Sequence, residues 1–310
     1  MKPIVILGIF VADAAFRAAR MPRLGETILG ESFALGPGGK GSNQAVAAAM
    51  AQTGTDARTH FITRLGPDDF GATARTTWAR AGVVPEVTVD AESYTGAAFI
   101  FLEAATGNNA IIVAPGAAAR IAVADVEARA DLISGASIFI TQLEQPIAAA
   151  RAGLEIARAA GVTTILNPAP AATLDDALLA LCDYLTPNET EAEALTGLPV
   201  TSLAEAEVAA DALLARGVGA VVITLGANGA LYRDRQRSVH VPVISAGPVL
   251  ETTGAGDAFN GGFAVALSEG RDVVEAVRFG CATAGISVTR PGTAAAMPAR
   301  AEIEALLARG

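Results

Sequence analysis

SIFITQLEQPIAAARAGLEIARAAGVTTIL, residues Ser137 to Leu166, reads as a strand, a polar turn, a helix and a second strand. Ser137 to Thr141 and Val162 to Leu166 are short apolar runs, the pattern of strands buried on both faces, and Ile147 to Ala160 between them is a helix. The unit then recurs. Leu174 to Leu181 and Leu203 to Arg216 read as helices, Tyr184 to Thr186 and Ala220 to Leu225 as strands. Such alternation predicts a parallel sheet covered by helices on both faces. Outward from it, Ile4 to Phe10 and Thr59 to Thr63 are further core strands, and Ala230 to Val243 holds more strands. Ala45 to Gln52, Asp69 to Ala81, Ala258 to Glu269 and Asp272 to Ser287 are helices. A different texture marks Thr27 to Leu35, Val84 to Val89, Tyr94 to Leu102 and Ala110 to Ala114, the last two joined by a Thr106-Gly107-Asn108-Asn109 hairpin loop. These half-exposed strands predict a small second sheet, either a lid beside a cleft or a dimer interface.

A chain of 310 residues with 52% hydrophobic content can bury a large core, as one big α/β domain or two smaller ones. The formal charge is −10 and no Lys/Arg run is long enough to neutralise a phosphate backbone, which argues against a nucleic-acid partner. Cys182 and Cys281 stand far apart, and His60 and His240 are the only histidines, so reduced core thiols and no structural zinc are expected. The apolar start, Met1 to Leu7, is too brief for a signal peptide or a membrane span, and the expected location is the cytoplasm.

Polar residues recur just past the strand ends: Asp13 after the first strand, then Gln142 and Glu144, Asn167, Asn188 and Glu191, and Thr224 with Gly226. In open α/β sheets ligands bind beyond the carboxyl ends of strands, so this recurrence outlines one crevice, although a lone Asp13 also suits a solvated loop. The glycine cluster Gly36 to Gln44 fails the Walker pattern, having Ala34 and Gly41 where Gly and Ser or Thr are required. Gly36, Gly38 and Gly41 satisfy G-x-G-x-x-G, but after an amphipathic strand instead of a buried one. What it offers is close backbone approach, with Lys40 and Asn43 as polar groups. In Glu251-Thr252-Thr253-Gly254-Ala255-Gly256-Asp257, a glycine turn runs into a helix, whose first free N–H groups make an anion site. Asp257 would repel a bound phosphate unless it takes a proton from the attacking nucleophile; an acid at an ordinary helix start is the plainer alternative. There is no G-x-S-x-G and no H-E-x-x-H.

Gly38-Gly39-Lys40-Gly41-Ser42-Asn43-Gln44-Ala45, Gln142-Leu143-Glu144, Thr186-Pro187-Asn188-Glu189-Thr190-Glu191, Thr224-Leu225-Gly226 and Gly254-Ala255-Gly256-Asp257 occur in that order. On these motifs the chain resembles, nearly end to end, the ribokinase-family sugar kinases, the phosphofructokinase-B-type carbohydrate kinases. The resemblance implies a three-layer α/β/α sandwich with a mostly parallel central sheet, one catalytic domain over residues 1–310, and a small β-sheet lid from strands within about residues 24–36 and 84–115. It implies an ATP- and Mg²⁺-dependent kinase acting on a primary hydroxyl of a small sugar, ribose first. Fructose or another ketose, a sugar acid or a nucleoside would be alternative acceptors; a sugar-responsive binding protein with little turnover is the alternative from another class.

By the same resemblance Asp257 corresponds to the base, and Gly254, Ala255 and Gly256, with the Asp257 amide, to the anion hole. Asn188 and Glu191 correspond to the Mg²⁺ motif, acting through water. Thr224, Gly226, Gly229, Gly256 and Cys281 fall on the ATP side; Asp13, Gly39, Lys40, Asn43 and Glu144 fall on the sugar side. Val11 stands where ribokinases carry Asn. Glu251, Thr253 and Gly292 fall at a monovalent-cation site, where Glu251 replaces the usual Asp and Ala296 a Ser, so weak potassium activation is expected. A homodimer through the lid is also implied.

Overall fold

The computed structural model describes residues 2–52, 58–106 and 108–309. Its strands are β1 (Ile4–Leu7), β2 (Val11–Ala18), β3 (Ser32–Gly38), β4 (Thr59–Leu65), β5 (Val84–Val89), β6 (Thr95–Glu103), β7 (Asn109–Gly116), β8 (Ile138–Thr141), β9 (Thr163–Leu166), β10 (Tyr184–Leu185), β11 (Ala220–Thr224), β12 (Ala230–Arg233) and β13 (Ser238–Val241). The helices are α1 (Lys40–Ala51), α2 (Asp69–Ala81), α3 (Val123–Glu127), α4 (Ala130–Ser134), α5 (Ile147–Ala159), α6 (Asp176–Leu179), α7 (Glu189–Thr196), α8 (Leu203–Ala215), α9 (Ala255–Ser268), α10 (Val273–Ser287) and α11 (Arg300–Leu307).

One nine-stranded sheet has the order β13-β12-β11-β10-β9-β8-β1-β4-β5. From β5 to β11 neighbouring strands are parallel, and β12 and β13 turn back as an antiparallel edge. Side chains alternate across a strand, and β1 shows the consequence: Ile4 and Ile6 join a core with α1, α9 and α10, whereas Val5 and Leu7 join one with α5, α6 and α8. Those two cores make the helix–sheet–helix layering. A second, four-stranded sheet has the order β3-β2-β6-β7. Among the described residues no helix is long and apolar enough to cross a membrane.

Several expectations need correcting. Val84 to Val89 belongs to the large sheet as its parallel edge strand, not to the small sheet; an edge strand is half-exposed wherever it sits, so alternation could not assign it. Its place in the small sheet is taken by β2, which pairs with both β3 and β6. The expected strand Ile4 to Phe10 stops at Leu7, and Asp13 lies inside the next strand instead of in a loop. Strand β3 begins at Ser32, not Thr27. Helices α1 and α9 start earlier than their apolar patterns, at Lys40 and Ala255, because their first turns are glycine-containing and polar. The expected hairpin loop at 106–109 includes Gly107, outside the described residues, although Leu102 pairs with Asn109 beside it.

Candidate active site

The carboxyl ends of β8, β9, β10 and β11 open toward the first turns of α1 and α9, and there a cavity of about 200 Å³ forms. Lys40, Asn188, Glu191, Thr224, Gly254, Ala255, Gly256 and Asp257 line it, with Thr186 and Thr252 from the same motifs and Asn260, which no motif had marked. A wider depression of about 530 Å³ lies at the opposite edge, around Thr163, Tyr184 and Ala220 at the amino ends of β9, β10 and β11. It brings together none of the residues singled out in the sequence, so size is a poor guide here.

Helix α9 is capped by Gly254 at φ 79° without a side-chain cap. The Ala255 N–H already donates to Thr252 O at 3.1 Å, which leaves the Gly256 and Asp257 N–H groups as the free donors of the turn. Asp257 is only 6% exposed. Its Oδ2 accepts from Asn43 Nδ2 at 3.0 Å and its Oδ1 from Gln44 Nε2 at 3.1 Å. Burial pushes this carboxyl above its ordinary range, opposed by the Lys40 charge and by the two amide hydrogen bonds. Lys40 is itself desolvated, yet Asp257, Glu144 and Glu191 outweigh that and hold its ammonium more firmly charged than usual. Among the described residues no carboxylate approaches that ammonium within ion-pair distance, so its charge faces the cavity.

The residues that the resemblance assigns to the sugar side lie against this cavity. Glu144 accepts from the Lys40 N–H at 2.7 Å, and burial raises its pKa to about 7, with Lys40 pulling the other way and Asp257 and Asp13 adding repulsion. Burial likewise raises Asp13 to about 6. Any Cβ at Gly38 would overlap the Asp13 carboxylate, so the glycine makes the space that Asp13 fills. Gly39 takes φ 88°, and a Cβ there would meet Ile9 O at 2.5 Å. Val11 is buried at the head of β2, on the same face as Asp13. Asn43 keeps its Oδ1 buried without a partner, a group ready for a donor from a ligand.

Asn188 and Glu191 first serve the backbone. Asn188 Oδ1 accepts from Glu191 N at 2.8 Å and Glu191 Oε2 from Asn188 N at 2.9 Å, a reciprocal cap on α7. The second Glu191 oxygen and the remaining lone pair of Asn188 Oδ1 can accept from waters of a hydrated Mg²⁺ ion, and Asn188 Nδ2 can donate to a nucleotide phosphate, so the set suits Mg²⁺ beside phosphates. Thr224 closes β11 against Asn188. Gly226 and Gly229 bound the next turn without lining the cavity. Cys281 is buried in the core of α10, away from the cavity lining, and burial pushes its thiol up to about 12. Glu251 Oε2 accepts from Gly292 N at 2.8 Å, Thr253 is exposed, and Ala296 is buried with no side-chain oxygen to offer.

The model of the pfkB family carbohydrate kinases matches residues 1–300. A ribokinase of Haemophilus influenzae is 38% identical over 302 residues, covering 97% of each chain. A deoxyribokinase of Salmonella typhi is 33% identical over 300 residues, covering 95% of each. Among solved structures, an Arabidopsis thaliana ribokinase complexed with ribose and ATP superposes with a TM-score of 0.91 at 31% identity, over 99% of this chain and 98% of that one. A glycine-capped helix that carries a buried carboxylate, facing a lysine across a cavity at the carboxyl edge, is thus set in a chain that belongs to the pfkB family of carbohydrate kinases.

Proposed function

We propose that this chain transfers the γ-phosphoryl group of ATP to the primary hydroxyl of a pentose, with D-ribose, giving ribose 5-phosphate, as the first acceptor. One observation supports this above the rest. The Asp257 carboxylate shares a helix turn with the free N–H groups of Gly256 and Asp257, so a proton acceptor and an anion site are built side by side. Asp13, Asn43 and Glu144 hold the sugar, and its primary hydroxyl gives its proton to Asp257 as its oxygen bonds to the γ-phosphorus and the bond from that phosphorus to the β–γ bridging oxygen breaks, releasing ADP. The α9 amides and Lys40 stabilise the charge on the transferred group, the contribution phosphoryl transfer needs most. Asn188 and Glu191 would hold Mg²⁺ through its waters, and the bound ion would neutralise phosphate charge. A protein that only bound sugar would need no base.

A second acceptor has its own support. Val11 is apolar, buried and on the Asp13 face of β2, and an apolar wall suits a sugar carbon that lacks a hydroxyl. Together with the similarity to a deoxyribokinase, this favours 2-deoxyribose as an alternative to ribose. Glu251 already accepts from the Gly292 N–H, so potassium has no required role in this reading. A homodimer through the small sheet agrees with the apolar surface on the side of that sheet away from Asp13: Phe16, Phe33, Leu35 and Ile112 are each more than 40% exposed. A cytoplasmic location agrees with ATP as the phosphoryl donor and with two free, buried cysteines.

ADP release measured across pentoses, 2-deoxyribose, ketoses, sugar acids and nucleosides tests the reading. The expected result is turnover on ribose or 2-deoxyribose, with kcat lowered at least about 100-fold in Asp257→Asn. Turnover confined to ketoses or nucleosides, or an Asp257→Asn enzyme keeping more than about a tenth of kcat, would refute it.

A further inference from the structure

Gln44 was part of a motif without a task. It is fully buried on α1, and its amide is engaged at both ends. Asp257 is an acceptor when ionised, so Gln44 must turn its NH₂ toward it, and Nε2 donates to Asp257 Oδ1 at 3.1 Å. The same Nε2 donates to Asn167 Oδ1, also at 3.1 Å. This orientation leaves Gln44 Oε1 needing a donor, which Gln142 Nε2 supplies at 2.6 Å. The space that Gln142 occupies is shaped for it: a Cβ at Gly41 would sit 3.0 Å from Gln142 Oε1 and 2.7 Å from Gly8 Cα.

From Asn167 the bonding continues back to α9. Asn167 Nδ2 donates to Thr186 O at 2.9 Å, Thr186 Oγ1 to Asn260 Oδ1 at 2.7 Å, and Asn260 Nδ2 to Gly256 O at 2.8 Å. Gly256 O belongs to the peptide whose N–H is that of Asp257. The circuit therefore fixes both the carboxylate and the amide beside it, and it is anchored just past the ends of β8, β9 and β10. Asn43 also holds Asp257, but Asn43 has an unpartnered oxygen and is a sugar-side residue, so its bond is open to rearrangement when substrate enters. Gln44 has no such second task.

We propose that Gln44 is the positioning residue of this kinase, holding the Asp257 carboxylate aimed before the sugar arrives. The inference rests on the assignment of Asp257 as base. Three other charged groups face Asp257: Lys40 from α1, Glu144 from the loop after β8 and Glu191 from α7, and none is altered in the variants below.

The test is the pH dependence of kcat for wild type, Gln44→Met, Gln44→Glu and Asp257→Asn, on the sugar that wild type phosphorylates best. Losing a donor to a carboxylate raises its pKa, so the acid limb of Gln44→Met is expected to move up by at least about half a unit, and kcat to fall roughly 10- to 100-fold. The KM for ATP is expected to stay within about twofold, which a general loosening of the fold would not allow. Gln44→Glu, nearly the same size, adds a like charge and is expected to move the limb further. Superimposed limbs and unchanged kcat in both variants would overturn the inference, and so would failure of both to fold, which would make Gln44 structural. Inactive Asp257→Asn beside unchanged Gln44 profiles rejects the Gln44 role alone; an active Asp257→Asn rejects the base assignment and this role with it.

Discussion

Asp13 and Glu144 are carboxyl groups that the fold keeps from water beside the site, and their pH behaviour follows from that placement. Burial raises their folded-state values to about 6 and about 7, from 3.8 and 4.5. A raised carboxyl favours its neutral form in the folded chain, so its contribution to stability is full at low pH. That contribution is lost as pH climbs through the window from about 4 to about 7. A sugar hydroxyl that donates to these groups prefers the ionised form, so binding should strengthen over the upper part of the same window. The KM for the accepted sugar is expected to fall several-fold between about pH 5.5 and pH 8, and in Asp13→Asn the lower part of that dependence should flatten. A KM independent of pH in wild type would exclude ionised carboxylates as the sugar acceptors. At this scale the sequence showed Asp257 as an acid in a glycine turn that opens a helix, and the resemblance suggested its task. The contact of Gln44 was not legible, since an amide inside a helix looks the same whether it points to solvent or to Asp257.

Among the elements, the glycines that end β3 and precede α1 show why residue type alone does not rank positions. Gly39 lies in a backbone region closed to other residues and abuts Ile9 O, whereas a Cβ at Gly36 would meet nothing within 4 Å. Gly39→Ala is expected to cost at least ~1–3 kcal/mol, seen as a thermal midpoint several degrees lower, and to raise the sugar KM through displacement of Lys40 and Asn43. Gly36→Ala is expected to stay within about 0.5 kcal/mol of wild type. Equal destabilisation by the two, read from denaturant titrations, would contradict this turn geometry. Asn188 and Glu191 carry a related lesson. Their spacing is the reciprocal cap of α7, and that same geometry leaves one Glu191 oxygen and the Asn188 NH₂ toward the cavity. The helix that it starts was missed in the sequence because α7 is short and its outer face is acidic.

For the whole molecule, the outstanding surface feature is the apolar outer face of the small sheet. Phe16, Phe33 and Phe99 form a tilted aromatic cluster on one face, Ile112 pairs with Phe99 there, and Leu24 and Leu29 stand free on the segment between β2 and β3. Burying such a surface against a second copy would be favourable at about 25 cal/mol per Å² of apolar area. The double variant Phe33→Glu, Ile112→Lys is expected to halve the mass seen by light scattering while its melting temperature at high dilution changes little. A wild-type protein that is monomeric at micromolar concentration would exclude the dimer.

Taken alone, the sequence determined the layered parallel sheet, the carboxyl-edge crevice and the acid in its glycine turn, because each is written in local pattern: apolar runs of strand length, polar residues at strand ends, glycines before helices. Only the tertiary structure decided that Val84 to Val89 closes the large sheet while Val11 to Ala18 enters the small one, since exposure of an edge strand is the same in either place. It alone joined Gln44, Gln142, Asn167, Thr186 and Asn260 into one circuit around Asp257. The bonds from Gln44 to Asn167 and to Asp257 reach across 123 and 213 positions of sequence, and contacts at such range leave no periodicity to read.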